Sequence, residues 1–178
     1  AEAFNNFLRK QELPFYILYR NPDRAESHQT IIYKRYTSVE NVDMWDLLTN
    51  NWFSSDRHVA NDPHKDFRLF SSIDDAKSEK NPWKSYNFDD PGVGFPRDCG
   101  PNGLVGHQWI SIRHHRFYNF ETWSFGLIER TWRESIPDFS YNDNYTGDRI
   151  MLSNCRKTGK YEGAEAFNNF LRKQELPF

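Results

Sequence analysis

Apolar and polar positions along the chain follow several distinct rhythms. Residues 1–10 carry Phe4, Phe7 and Leu8 at i, i+3 and i+4, one stripe of a helix. Glu2 in its first turn and Arg9 with Lys10 near its last suit the helix dipole, and Pro14 stops it. From Phe15 to Arg20, Phe15, Ile17 and Tyr19 alternate with Tyr16, Leu18 and Arg20, which predicts a strand with both faces partly covered. After the polar stretch NPDRAESHQ, Thr30–Thr37 predicts a second strand, giving a hairpin with a long loop. Ser38 is placed to cap a helix over Val39–Asn50, with Val42, Trp45 and Leu48 on one stripe. Residues 54–66 are polar and turn-like, Phe67–Phe70 reads as a short strand, and Ser71 with Asp74 forms a capping box opening a helix to Lys80. Gln108–Arg113 and Thr122–Trp132 read as the two longest strands. In the second, Trp123, Phe125 and Leu127 share a face that ends before Glu129 and Thr131. Ser135–Asp148 is turn-rich and Arg149–Cys155 is a last short strand. The fold class is α+β: an antiparallel sheet with two or three short helices and a long Gly/Pro/aromatic loop.

That loop, residues 81–106, holds four Pro and five Gly, interleaved with Trp83, Tyr86, Phe88 and Phe95. Irregular stretches this long are either functional or packed by their own side chains. They also draw attention to the aromatic content of the whole chain: thirty Phe, Trp and Tyr against twenty-five Leu, Ile and Val. A core is still within reach, because each ring brings a large apolar area with few rotatable bonds. Such a composition argues against disorder, and a length of 178 residues argues for one domain with at most an appendage. No apolar run is long enough to span a bilayer, so no membrane partner is expected. The 23 basic and 25 acidic residues are well mixed, so no bulk field favours nucleic acid.

The strongest feature of the sequence is a repeat. Residues 1–15 and residues 164–178 both read AEAFNNFLRKQELPF, identical at all fifteen positions and 163 residues apart. Chance does not produce such a match in a stretch of mixed composition. Residues 1–163 are therefore one globular module, and 164–178 are either the start of a next module or an engineered duplication. In both cases two identical apolar stripes, Phe4, Phe7, Leu8 and Phe167, Phe170, Leu171, compete for one docking site. A helix this short is marginal alone in water and needs packing. One copy should dock within its own molecule while the other frays or docks on a neighbour, so domain swapping and self-assembly are expected, with neighbouring copies as partners.

The two cysteines, Cys99 and Cys155, permit one disulfide that would pin the long loop to the last strand. Closing that loop would constrain the unfolded chain by about 4 kcal/mol. Asn144 begins the sequon Asn144-Tyr145-Thr146, a glycosylation acceptor. Together with abundant Asn and Asp and the aromatic excess, these features lean towards a secreted, extracellular protein.

Four groups of residues could carry chemistry. Trp83, Tyr86, Asn87, Asp89, Asp90, Arg97 and Asp98 combine rings that cover the apolar faces of sugars with groups that hydrogen-bond hydroxyls, which suits a glycan or another small polar ligand. His107, His114 and His115 beside Arg113 and Arg116 could pass protons and neutralise a phosphoryl oxygen, as in a phosphodiesterase or nuclease. Adjacent His114 and His115 point to opposite faces of any strand, so direct cooperation needs a bend. Asp56, His58, Asp62, His64 and Asp66 are dense enough for a divalent ion but match no strong zinc spacing. Asn142, Asn144, Thr146 and Asp148 alternate like a calcium loop, yet Ser153 stands where the loop's closing acid belongs. No phosphate-loop, dinucleotide or nucleophile-elbow motif occurs, and no cofactor is expected. The sequence thus predicts an extracellular, non-enzymatic repeat module that binds a ligand such as a carbohydrate, assembles through its repeated end, or does both. A His-dependent phosphodiesterase, with nucleic acid as partner, and a structural module of a material-forming polyprotein are the alternatives.

Overall fold

A computed structural model of the chain describes residues 1–53, 60–87, 91–111, 122–128 and 151–155, the last group by backbone alone. The elements run α1 (Glu2–Arg9), β1 (Phe15–Arg20), α2 (Glu26–Gln29), β2 (Thr30–Arg35), α3 (Met44–Thr49), β3 (Phe67–Phe70), α4 (Ile73–Ser78), β4 (Thr122–Ile128) and β5 (Met151–Cys155). The five strands form one sheet in the order β3-β2-β1-β4-β5, every neighbouring pair antiparallel. The fold is α+β, as the periodicities predict.

Alternation decides which side chains enter the core. Phe15, Ile17 and Tyr19 of β1 are buried on one face, in register with Leu127 and Phe125 of β4 and with Tyr33 and Ile31 of β2. Phe67 and Leu69 of β3 extend the same face. On it sit Trp52, Phe95, Val42, Leu47 and Leu48, and the rings meet mostly edge to face, as ring quadrupoles favour. Trp52 and Phe95, for example, have centroids 4.9 Å apart at 88°. Arg35 lies at the end of this face, fully buried, and its guanidinium donates to the carbonyls of Thr37, Ser38 and Ala60 and to the Tyr33 hydroxyl.

The opposite face carries a smaller cluster of Ile32, Phe70 and Ala76, with Tyr16, Leu18 and Ile128 half-buried beside it. Lys34 is buried there, donating to the Ala76 carbonyl and to Glu79, which also receives Tyr36 Oη and Arg68 Nη1. Burial alone would raise the Glu79 pKa, but these donors, Lys34 foremost, bring it below the usual carboxylate value.

Three local expectations are corrected. The helix expected over Val39–Asn50 begins at Met44, because Asp43 rather than Ser38 accepts the first-turn N–H, that of Asp46 at 3.0 Å, while Ser38 closes a turn onto Glu40 N. The capping box lies one residue later, with Ser72 accepting from Asp75 N and donating to its carboxylate. Gln108–Ser111 form no strand; Ile110 instead exchanges backbone hydrogen bonds with Gly94 and Phe95 of the long loop. Residues 112–113 and 129–132, and the turn-rich stretch 135–148, lie outside the described residues.

Candidate functional site

The site is the seat of the first copy of the repeat. Residues 2–9 form the expected helix, and its stripe faces the sheet, with Phe4 and Leu8 buried and Phe7 packed half-buried beside them. Phe4, Phe7 and Leu8 meet Ile17 of β1 and Phe125, Gly126 and Leu127 of β4 around a small apolar void. The Phe4 ring also meets the Trp45 ring of α3 edge to face, with centroids 5.9 Å apart. Burying two such side chains contributes roughly 3–6 kcal/mol, a large share of a typical domain's stability.

A polar pair lies beside the apolar one. Asn5, only 6 % exposed, donates through Nδ2 to Asp43 Oδ1 at 2.8 Å and accepts the Trp45 backbone N–H on Oδ1 at 2.9 Å. Asp43 is the N-cap of α3, so Asn5 adds a second acceptor to the first turn of that helix. Burial would raise the Asp43 pKa, but the N–H of Asp46, the Asn5 amide and the nearby N-terminal ammonium together lower it. Nothing in the apolar pattern marks Asn5; an Asn beside Asn6 in a short helix reads as solvent-facing.

The aromatic loop folds inward. Trp83 is fully buried, donates through Nε1 to Ser71 Oγ at 2.9 Å, and lies 5.0 Å from the His28 ring. Tyr86 is half-buried against Phe67 and His64, its hydroxyl accepting the Leu69 N–H. Arg97 is buried in the left-handed region at φ 53°, Asn87 donates to Asp98, and Asp98 accepts the His107 N–H. In this position Trp83 has no free face on which a sugar could stack. Asp89 and Asp90 lie outside the described residues.

Cys99 is a buried free thiol, and burial pushes its pKa up to about 11. The side chain of Cys155, its expected disulfide partner, lies outside the described residues. The Cys99 carbonyl receives Nε2 of buried His28 at 2.9 Å. That donation leaves Nδ1 to accept the Ser27 hydroxyl at 2.8 Å, and burial lowers the His28 pKa. The pair has the tautomer of an activated serine, but the ring is packed under Trp83 and serves as a strut between α2 and the loop.

Of the histidine cluster, His107 is exposed, at φ 63°, and its carbonyl accepts Arg24 Nη1. Arg113, His114, His115 and Arg116 lie outside the described residues, as do Asp56, His58, the calcium-like residues Asn142, Asn144, Thr146 and Asp148, and the second copy with Phe167, Phe170 and Leu171. Asp66 receives Asp62 N and the Thr37 hydroxyl, and His64 packs on Tyr86, so the Asp66 carboxylate and the His64 ring brace a turn. Among the described residues, no group of three or more His, Cys, Asp or Glu is arranged to hold a metal, and no helix is long and apolar enough to cross a membrane. Comparison with protein-family models, with curated proteins and with solved structures finds no match to the chain.

Proposed function

We propose that the chain is a non-enzymatic, self-associating repeat module, in which the fifteen-residue segment is an interchangeable plug for the sheet. One observation carries the reading: Phe4 and Leu8 of the segment at 1–15 are seated in the core, with Phe7 packed half-buried beside them, and the whole fifteen-residue sequence recurs at 164–178. Identical side chains have identical affinity for the seat, so linkage alone decides which copy occupies it. Five residues, 10–14, separate α1 from β1, and so short a tether gives an effective concentration on the order of millimolar. The first copy therefore holds its own seat, and the second serves a further module of the same kind, in an array with a 163-residue period or on a neighbouring chain. Such a joint suits an extracellular assembly, where the sequon at Asn144 would be used.

The test uses the 178-residue chain with both stripes truncated, Phe4→Ala, Leu8→Ala, Phe167→Ala and Leu171→Ala, and a synthetic peptide AEAFNNFLRKQELPF. Adding the peptide should restore the near-ultraviolet circular dichroism and cooperative unfolding in a saturable way, while a scrambled peptide of the same composition should not. No restoration at any peptide concentration overturns the reading.

A further inference from the structure

We propose that Asn102 is a self-modifying site, at which the backbone nitrogen of Gly103 closes on the side-chain amide, expels ammonia and leaves a β-linked aspartate at the tip of the long loop. The tip projects from a fixed base. Asp98 clamps that base: its carbonyl accepts the Val105 N–H at 3.1 Å, and its Oδ1 accepts that of His107 at 3.2 Å. Gly100 N donates to the Ser85 carbonyl and Lys84 N to the Pro101 carbonyl, which ties the near half of the loop to residues 84–85. Between these anchors Asn102, Gly103 and Leu104 are exposed. Leu104, at 61 %, is the most exposed large apolar side chain among the described residues.

Ring closure needs a free nitrogen, a free amide and an open approach. The Gly103 N–H donates to no acceptor among the described residues, and the Asn102 side chain has no hydrogen-bond partner among them. Glycine has no Cβ to crowd the amide carbon, and Asn102-Gly103 is the only Asn-Gly pair in the chain. Asn5, Asn50 and Asn61, by contrast, are buried with their amides bonded. The step is a hydrolysis. Gly103 N gives its proton to solvent base and bonds to Asn102 Cγ; the Cγ–Nδ2 bond breaks, and Nδ2 takes a proton from water and leaves as ammonia. Water then opens the five-membered imide. Opening at the Asn102 backbone carbonyl frees an α-carboxylate and routes the chain through Cγ, adding one atom to the backbone; opening at Cγ gives ordinary Asp. Nothing is oxidised or reduced, and water is the only co-reactant. Either product adds one negative charge. The β-linked form also lengthens the backbone between anchors held by Asp98, so Leu104 is displaced and an apolar tip becomes an acidic one.

The experiment incubates the 178-residue chain in mildly alkaline buffer at body temperature, beside Gly103→Ala and Asn102→Gln. A Cβ on Gly103 would meet no atom within 4 Å, so the alanine variant should fold like the parent while its methyl group hinders the attack. Anion-exchange chromatography follows the added charge. Trypsin digestion and radiolabelling by an isoaspartyl methyltransferase locate the β-linked residue. The parent should pass into a more acidic form, with the label on the peptide 98–113 that follows Arg97. Both variants, with the parent's near-ultraviolet circular dichroism, should keep that peptide unlabelled over the same interval. A parent peptide that takes label only after the chain is unfolded in denaturant overturns the proposal, since the folded loop would then withhold the nitrogen or the amide. Equal labelling in the variants overturns it too, because the label would then sit on Asp98.

Discussion

Truncating the first plug should cost far less than its contacts are worth, and the remaining cost should depend on concentration. Phe4→Ala with Leu8→Ala removes two side chains that are 4 % and 2 % exposed. With an empty seat such a pair costs roughly 5–10 kcal/mol, most of the stability of a typical domain. The second copy carries the same side chains and can fill the seat. Docking from a neighbouring chain, as proposed above, it then acts at the chain concentration in place of a millimolar tether. At about 10 µM the deficit is roughly a hundredfold, or about 2.7 kcal/mol. Each tenfold rise in concentration should return about 1.4 kcal/mol, raising the melting temperature by about 3–6 °C for a domain of this size. Differential scanning calorimetry with light scattering, from about 1 to 100 µM, reads both the shift and the accompanying association. The natural chain should show no such shift. The reasoning fails if the double variant is no more stable than the four-alanine variant at any concentration.

Three further outcomes follow from the packing. His28 has an ordinary value of 6.5 that burial lowers, so the unfolded chain binds more protons below neutrality, and stability should fall between pH 7 and 5.5. Urea midpoints should show a smaller fall for His28→Gln; Asp43 and Glu79, also lowered, act only below about pH 4.5. An equal fall in the variant would remove His28 as the cause. Gly94→Ala should destabilise by about 3 kcal/mol in equilibrium unfolding, because a Cβ there would lie 2.4 Å from the Ile110 carbonyl oxygen and 2.8 Å from the Thr49 carbonyl carbon. A neutral result would mean the loop can move away from both. In a Cys155→Ser chain, Cys99 should react with a thiol reagent at pH 8 roughly two orders of magnitude more slowly than a free cysteine, until denaturant opens the core. Immediate labelling would show that the thiol is not buried.

The strands were legible where alternation and length agreed. Phe15–Arg20 and Phe67–Phe70 appear at their expected bounds, and the single apolar face of Trp123, Phe125 and Leu127 is the one that enters the core. Helix starts were less legible, because several residues compete for one cap. Asp43 outcompetes Ser38, since its carboxylate caps Asp46 N while Asn5 adds a partner from a distant segment that local sequence does not reveal. Four residues of the supposed polar loop form α2, whose His28 is fully buried; only the Cys99 carbonyl and Ser27, which pair with its ring, explain why a polar residue goes inside. The aromatic loop illustrates the main ambiguity. A ring that binds a ligand and a ring that fills a core leave the same trace in sequence, and burial decides for Trp83 and Phe95. The plug's apolar stripe was legible from periodicity, but its polar lock was not, because Asn5 acquires meaning only when α3 is brought against it.

The most direct test is a crystal structure of the chain carrying Phe4→Ala and Leu8→Ala, in which the truncations act as labels on two otherwise identical segments. The account predicts full Phe and Leu side chains over Ile17, Phe125 and Leu127, those of Phe167 and Leu171. A seat holding the alanine-bearing helix, or holding nothing, would contradict it.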